Sequence, residues 1–267
     1  MQRPGSHSHV EPGAGKSTSD GPTRARPAGT RRRTYNPGVG GAVILGSGRD
    51  ADIVDLGRGR VLRRPRMPRP LDDEAAIMRH VRAAGFPAPA VLEVRPDGIV
   101  MERVDGISML ADLARRPWRV GHHARLLAGL HRSLHRIPPP ADARTPFGGA
   151  RADDVTVHAD LHPDNVLLSP RGPVVIDWAN AGRGPAGADV ADVWLVLAAA
   201  RPPGGHLRRA LAAALRTSFL DAFLAAAGRD DAAPYLQLAA ERRALDHRMD
   251  EAELKAIRRI AAGPLDR

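Results

Sequence analysis

The sequence predicts an α+β fold of two lobes, a small β-rich amino lobe over residues 39–103 and a larger α-helical carboxyl lobe over residues 104–267. Three observations carry this. Short apolar runs punctuated by glycine fill residues 42–104 and enclose a single amphipathic helix. From residue 107 to 137, and again after residue 189, Ala and Leu recur at helical spacing. One β-rich stretch, 155–177, stands between those helical regions.

Residues 1–38 are rich in Gly, Pro, Ser, Thr and Arg, with almost no large apolar side chain. Such a segment cannot offset its own ordering entropy, so a disordered basic tail is expected. Within it Gly13-Ala14-Gly15-Lys16-Ser17 resembles part of a phosphate-binding loop. Val10 stands where the first glycine of that pattern belongs and no apolar strand leads in, so no nucleotide site is assigned there. Runs 42–45, 51–56 and 60–64 read as strands joined by Gly46-Ser47-Gly48 and Gly57-Arg58-Gly59. A helix follows, with Asp72 or Asp73 as cap and Gly85 as stop. Strands resume at 91–94 and 99–104 around the turn Arg95-Pro96-Asp97-Gly98. After Gly106 the chain turns helical, returns to strands at 155–177, and ends in amphipathic helices near 189–200, 206–227 and 232–261.

The 43% apolar and 26% charged fractions suit a soluble globular chain, and with only 3% aromatics the core must rest on Leu, Val, Ala and Ile. The net charge of +10 invites a nucleic-acid reading. Yet the first 40 residues hold seven Lys/Arg against two acids, half of the surplus, and few aromatics remain to stack on bases, so nucleic-acid binding is not expected. No cysteine is present, which excludes disulfides, thiolate catalysis and Cys-based zinc sites. The most apolar stretch, 190–200, is broken by Asp192 and falls short of the ~20 residues that a bilayer span needs. The basic amino end lacks the apolar core of a secretory signal, so a cytoplasmic location is expected, with no membrane partner. No protein partner is legible.

The residues that carry chemistry lie between Val155 and Ala179. Apolar runs 166–168 and 174–176 flank the turn signal Ser169-Pro170-Arg171-Gly172-Pro173. A hairpin centred near Arg171 would set residues 165 and 177 opposite each other, bringing Asn165 and Asp177 together with Asp160 in the loop just before. One Asn and two Asp converging beside a glycine-rich lobe suit a hard, oxygen-liking cation and a phosphate. Any one of them alone would read as a turn cap; the three at this spacing do not. In the amino lobe Glu74, Ile77, Met78 and Val81 share a helix face, and an acid on an apolar face wants a buried partner. Strand alternation puts Val61 and Arg63 on one face and Arg64 on the other. His131 and His135, four apart, have no Glu or Cys nearby to complete a metal site and are assigned to packing.

His158-Ala159-Asp160-Leu161-His162-Pro163-Asp164-Asn165 resembles the catalytic loop of the aminoglycoside phosphotransferase family, relatives of protein kinases, which reads His-Gly-Asp-x-x-x-x-Asn. Val175-Ile176-Asp177-Trp178 resembles that family's metal-binding stretch. The resemblance implies a two-lobed protein-kinase-like fold and an ATP-dependent, Mg²⁺-requiring transfer of phosphate to a small-molecule hydroxyl. It implies Asp160 as catalytic base, with Asn165 and Asp177 as ligands of Mg²⁺. His158 would prop the loop. Asp189 looks like the family's helix-capping Asp that braces it. Glu74 would pair with the phosphate-holding cation of the third strand, where Arg63 replaces the family's usual Lys. Gly46, Ser47 and Gly48 match the phosphate-covering turn loosely. The backbones of Glu102 and Val104 would hold the adenine edge. Only eleven residues separate Asp177 from Asp189, too few for a peptide platform, which points to a small acceptor. Arg63 also motivates an alternative, a nucleotide-binding pseudokinase that regulates a partner.

Overall fold

Short apolar strands, the central β4 and β6 buried on both faces, fold the amino-terminal part into one antiparallel sheet, with a helix across it. The structure is a computed structural model that describes residues 34–35, 42–47, 50–200, 206–246, 249 and 251–263. Strands β1 (Thr34–Tyr35), β2 (Ala42–Ser47), β3 (Ala51–Gly57), β4 (Arg60–Pro65), β5 (Val91–Arg95) and β6 (Gly98–Glu102) run in the order β1-β2-β3-β4-β6-β5. The helix α1 (Asp72–Ala83) lies between β4 and β5 and buries Glu74, Ala75, Ile77, Met78 and Val81. A side chain on Gly98 would bring its Cβ within 2.5 Å of the Arg63 carbonyl oxygen, so glycine lets β6 close on β4 beside Arg63.

Several expectations shift here. Thr34 and Tyr35, within the segment read as a disordered tail, pair with Val43 and Ala42 of β2; both residue types favour strands, a signal the surrounding Gly and Pro hide. The rest of residues 1–38 lies outside the described residues, as does Gly48. Strand β2 runs on through Gly46 and Ser47 by means of a bulge between Ile44 and Gly46. Strand β6 stops at Glu102, two residues early. Neither Asp72 nor Asp73 caps α1: Leu71 holds that position without a side-chain bond, and the acids sit in the first turn, where the helix dipole favours them.

The carboxyl part opens with β7 (Ile107–Ser108), α2 (Met109–Arg115), α3 (Val120–Leu134) and β8 (Val155–Val157). It continues through the hairpin β9 (Val166–Ser169) and β10 (Gly172–Val175) to β11 (Gly182–Gly184). Helices α4 (Ala186–Ala199), α5 (His206–Ala227), α6 (Arg229–Ala232), α7 (Leu236–Ala244) and α8 (Glu251–Ala262) complete it. The hairpin pairs with β7, and β8 pairs with β11. Helix α3 packs along α5, while α4 is enclosed by α5, α7 and α8. The final helical stretch is broken twice: Pro234 lies in a 3₁₀ turn just before α7, and α7 ends at Ala244 before α8 begins at Glu251.

The 19-residue stretch Arg209–Ala227 of α5 is long and apolar enough to cross a membrane by length and composition, which the run first singled out, 190–200, is not. In the fold its Phe219, Phe223 and Leu224 are buried in the core. Trp178 sits at the centre, wholly buried, edge-on to Phe86 at 5.7 Å and 4.7 Å from the His158 ring.

Candidate active site

A cavity of about 570 Å³ opens between the sheet and the carboxyl part. Gly46, Arg63, Glu74, Glu102, Val104, Asn165 and Asp177 all contribute to its wall, along with the apolar Val61, Met78, Met101 and Leu167. Ser47 pairs with Asp52 in the sheet, and its side chain is not among those described.

The hairpin delivers two of these residues. Ser169 pairs with Gly172 across a two-residue turn, and Val166 with Val175. Gly172 takes φ +109°, a conformation open to glycine, while the Ser169 hydroxyl donates to its carbonyl at 2.8 Å. This tight turn shifts the register by one residue from that expected. Asn165 therefore faces Ile176, whose N–H donates to the Asn165 carbonyl at 2.9 Å, and Asp177 lies one step beyond. Asp177 leaves the strand in the left-handed region, φ 62° and ψ 62°. Its carboxylate meets Arg63, with Nη2 to Oδ1 2.6 Å.

Arg63 and Glu74 do come together: Nε lies 3.3 Å from Oε1 and Nη1 donates to Oε2 at 3.4 Å, both side chains being buried. Arg64 points the other way, to the exposed Asp97 at 3.0 Å. Arg69 also pairs with Glu74. Burial pushes the Glu74 carboxyl up, against the pull of Arg63 and then Arg69. At the far end of the cavity the Glu102 N–H donates to the Ala90 carbonyl at 2.8 Å, while the Val104 backbone makes no hydrogen bond among the described residues.

Asp160 sits beside this wall. The Asn165 amide donates to its carbonyl oxygen at 2.9 Å and to Oδ2 at 3.3 Å. A carbonyl only accepts, so this contact fixes the amide's orientation. It leaves the Asn165 Oδ1 without a hydrogen bond among the described residues. The Asp160 Oδ1 takes Arg243 Nη2 at 2.7 Å, with His162 Nε2 at 3.7 Å. Burial pushes the Asp160 carboxyl up, but Arg243 and then His162 outweigh it and hold the group below its ordinary range.

The loop that carries Asp160 is braced from below. Ala159 is held at φ 56°, and its N–H donates to Asp189 Oδ1 at 2.6 Å. The second oxygen of Asp189 meets His135 Nε2 at 2.9 Å, His131 Nδ1 at 3.3 Å and the His158 N–H at 3.4 Å. His131 and His135 thus converge on a carboxylate that also holds the loop backbone. Burial raises the Asp189 carboxyl, yet the imidazoles of His131 and His135 against it bring it well below the ordinary value. His158 Nε2 donates to the Ile176 carbonyl at 3.1 Å, tying the loop to the hairpin. Desolvation holds the His158 imidazole below its ordinary value, against the pull of Asp189 and then Asp160.

Sequence reasoning missed Arg69, Asp192, Arg242 and Arg243. Arg243 bridges Asp160 and the buried Asp192, with Nε donating to Asp192 Oδ1 at 2.8 Å. In a chain whose basic residues are nearly all Arg, no single arginine signals a partner 83 positions away.

Residues 42–151 and 146–237 match the phosphotransferase enzyme family. A curated relative, the probable serine/threonine-protein kinase BUD32 homolog of Archaeoglobus fulgidus, is 34% identical over 121 residues. That match takes in 44% of this chain and 45% of the relative, so the chain spans under half of its length. Among solved structures, a choline/ethanolamine kinase family protein from Mesorhizobium loti is similar at 17% identity and a TM-score of 0.54, over 85% of this chain and 90% of that one. The streptomycin–ATP–APH(2″)-IIa ternary complex is similar at 14% identity and a TM-score of 0.51, over 75% and 82%. The likeness establishes a two-lobed, protein-kinase-like fold.

Proposed function

Since this chain belongs to the phosphotransferase enzyme family, we propose that it is an ATP-dependent kinase that moves the γ-phosphate to a hydroxyl of a small molecule, with Mg²⁺ as cofactor. The observation that carries this is the meeting of Arg63, Asn165 and Asp177 on one cavity, with Asp160 bonded to Asn165 beside it. A volume of about 570 Å³ is in the range of nucleotide-sized pockets.

The donor set fits the metal: a carboxylate at Asp177 and the unengaged amide oxygen of Asn165 are the hard oxygen ligands that Mg²⁺ prefers. When bound, Mg²⁺ supplies charge neutralisation on the phosphates. Arg63, steadied by Glu74, grips the phosphates, and Gly46 near the end of β2, on the same cavity wall, lies over them. The backbones of Glu102 and Val104 receive the adenine edge. Asp160 accepts the hydrogen bond of the acceptor hydroxyl through Oδ2, orients its oxygen toward the γ-phosphorus and takes its proton as the new bond forms. His158 and Asp189 hold the loop so that Asp160 faces the acceptor. A cytoplasmic location accords with metabolite substrates.

A second reading, a nucleotide-binding pseudokinase, is favoured by one observation: both acidic side chains already carry an arginine, Arg63 on Asp177 and Arg243 on Asp160. One pair of variants separates the two. Asp160→Asn should retain Mg²⁺–ATP affinity while ADP release with an accepted hydroxyl compound falls by about 10²–10⁴, the usual share of a positioned base. Asp177→Ala should abolish the Mg²⁺-dependent part of ATP binding measured by calorimetry. ATP binding without any acceptor-dependent ADP release, in wild type and variants alike, would leave the pseudokinase.

A further inference from the structure

Any hydroxyl that bonds to Asp160 arrives beside Arg243, and the surroundings of that arginine restrict what the hydroxyl can belong to. Arg243, on α7, is 6% exposed. Its Nη2 reaches both Asp160 and Asp192, and its Nε donates to Asp192. The adjacent Arg242 donates to the same Asp192 oxygen, Oδ1, at 2.8 Å. Asp192 is wholly buried, so its single charge serves two guanidinium groups. Two carboxylates and two arginines balance, and no other carboxylate contacts any of the four among the described residues.

Two consequences follow from elementary electrostatics. An ammonium group next to the reacting hydroxyl would lie against the Arg243 guanidinium, whose own carboxylate partners, Asp160 and Asp192, are already paired. As the hydroxyl proton passes to Asp160, the cluster is left with one uncompensated positive charge in a poorly solvated place. Moreover, the Arg243 Nη1 makes no hydrogen bond among the described residues, so this buried guanidinium keeps donors to offer.

Resting on the kinase reading above, we propose that Arg243 recognises an oxyanion, a carboxylate or a phosphate, carried by the acceptor close to the hydroxyl that is phosphorylated. The acceptor is then a hydroxy acid or a phosphorylated alcohol, and not an amino alcohol or a polyamine. The O–H bond breaks and its proton passes to Asp160. The hydroxyl oxygen bonds the γ-phosphorus as the bond from that phosphorus to the β,γ-bridging oxygen breaks, giving a phosphate ester and ADP. The acceptor's own oxyanion stays on Arg243 throughout and compensates the charge that Asp160 gives up.

The test is ADP release by the full-length chain with Mg²⁺–ATP against four matched sets of hydroxyl compounds: hydroxy carboxylates, phosphorylated alcohols, neutral polyols, and amino alcohols with aminoglycosides. Turnover confined to one or both anionic sets is the expected result, and which set responds tells carboxylate from phosphate. In Arg243→Gln the KM for the anionic acceptor should rise at least about tenfold with a smaller effect on kcat, the signature of a lost charged contact to substrate. Arg243→Lys should recover part of it, and Mg²⁺–ATP affinity, which reports folding, should hold in at least the Lys variant. Preferred turnover of ammonium compounds overturns the proposal and leaves the kinase intact, as does an equal rise in KM for neutral and anionic acceptors. Mg²⁺–ATP binding with no ADP release from any set overturns the kinase reading and this proposal with it.

Discussion

Arg63 faces three carboxylate oxygens within 3.4 Å, two on Glu74 and one on Asp177, and has one guanidinium to divide among them. A planar fork can serve two partners at once where an ammonium would act as a point charge, which gives a physical use to arginine at this position. Arg63→Ala should weaken nucleotide binding by about 2–4 kcal/mol, the scale of breaking a buried charged pair, read by calorimetry. Arg64→Ala, whose partner Asp97 is exposed, should leave affinity unchanged. Sensitivity at Arg64 instead would mean the phosphates lie on the other face of β4. Strand alternation alone separated these two arginines, because successive side chains of a strand point to opposite faces of the sheet. Arg243 was beyond that kind of reasoning. Its partners lie on other elements, and nothing periodic connects α7 to the loop at Asp160.

At the scale of elements, α4 does most to hold the site. Asp189 in its first turn receives the Ala159 and His158 N–H groups and two imidazoles while wholly buried. Asp189→Asn should cost about 3–5 kcal/mol in urea unfolding, since it removes the charge from a buried network whose other members stay. The pH dependence has a definite sign. The folded Asp189 carboxyl lies well below its ordinary value, so its contribution is present above that value, about pH 4, and is lost as pH falls through the folded value. Wild type should therefore lose stability below about pH 4 more steeply than Asp189→Asn; parallel acid profiles would remove the carboxylate from the account. The hairpin shows how far the sequence could go. The turn signal and the two apolar runs were plain, but residue types do not state turn length. A two-residue turn moved the pairing by one, and Asp177 reached Arg63 only through its left-handed backbone.

For the molecule as a whole, the segregation of strands and helices was legible because it rests on periodicity over dozens of residues. The break between α7 and α8 and the short strand β1 were not, since no Gly or Pro stands in 245–250 and two strand-forming residues among Pro and Gly carry a weak local signal, whereas Pro234 was a breaker in plain view. Strand β1 also relocates the cut that tests the basic tail. Deletion of residues 1–32 should leave the melting temperature and ADP release unchanged, whereas deletion of residues 1–38 removes the pairing of β1 with β2 and should lower the melting temperature by a few degrees. Equal melting temperatures for the two would show that β1 adds nothing to the sheet. The placement of Trp178 gives the protein an optical reporter of its own. It follows Asp177 in the chain and rests against His158, whereas Trp118 is 76% exposed and Trp194 lies under Arg229. With those two indoles replaced by phenylalanine, the remaining emission should be the blue-shifted emission of a wholly buried ring. A ligand that draws Asp177 away from Arg63 should change that emission, since Asp177 is the residue next to the ring, and stopped-flow mixing with Mg²⁺–ATP checks it with no label and before any acceptor is known.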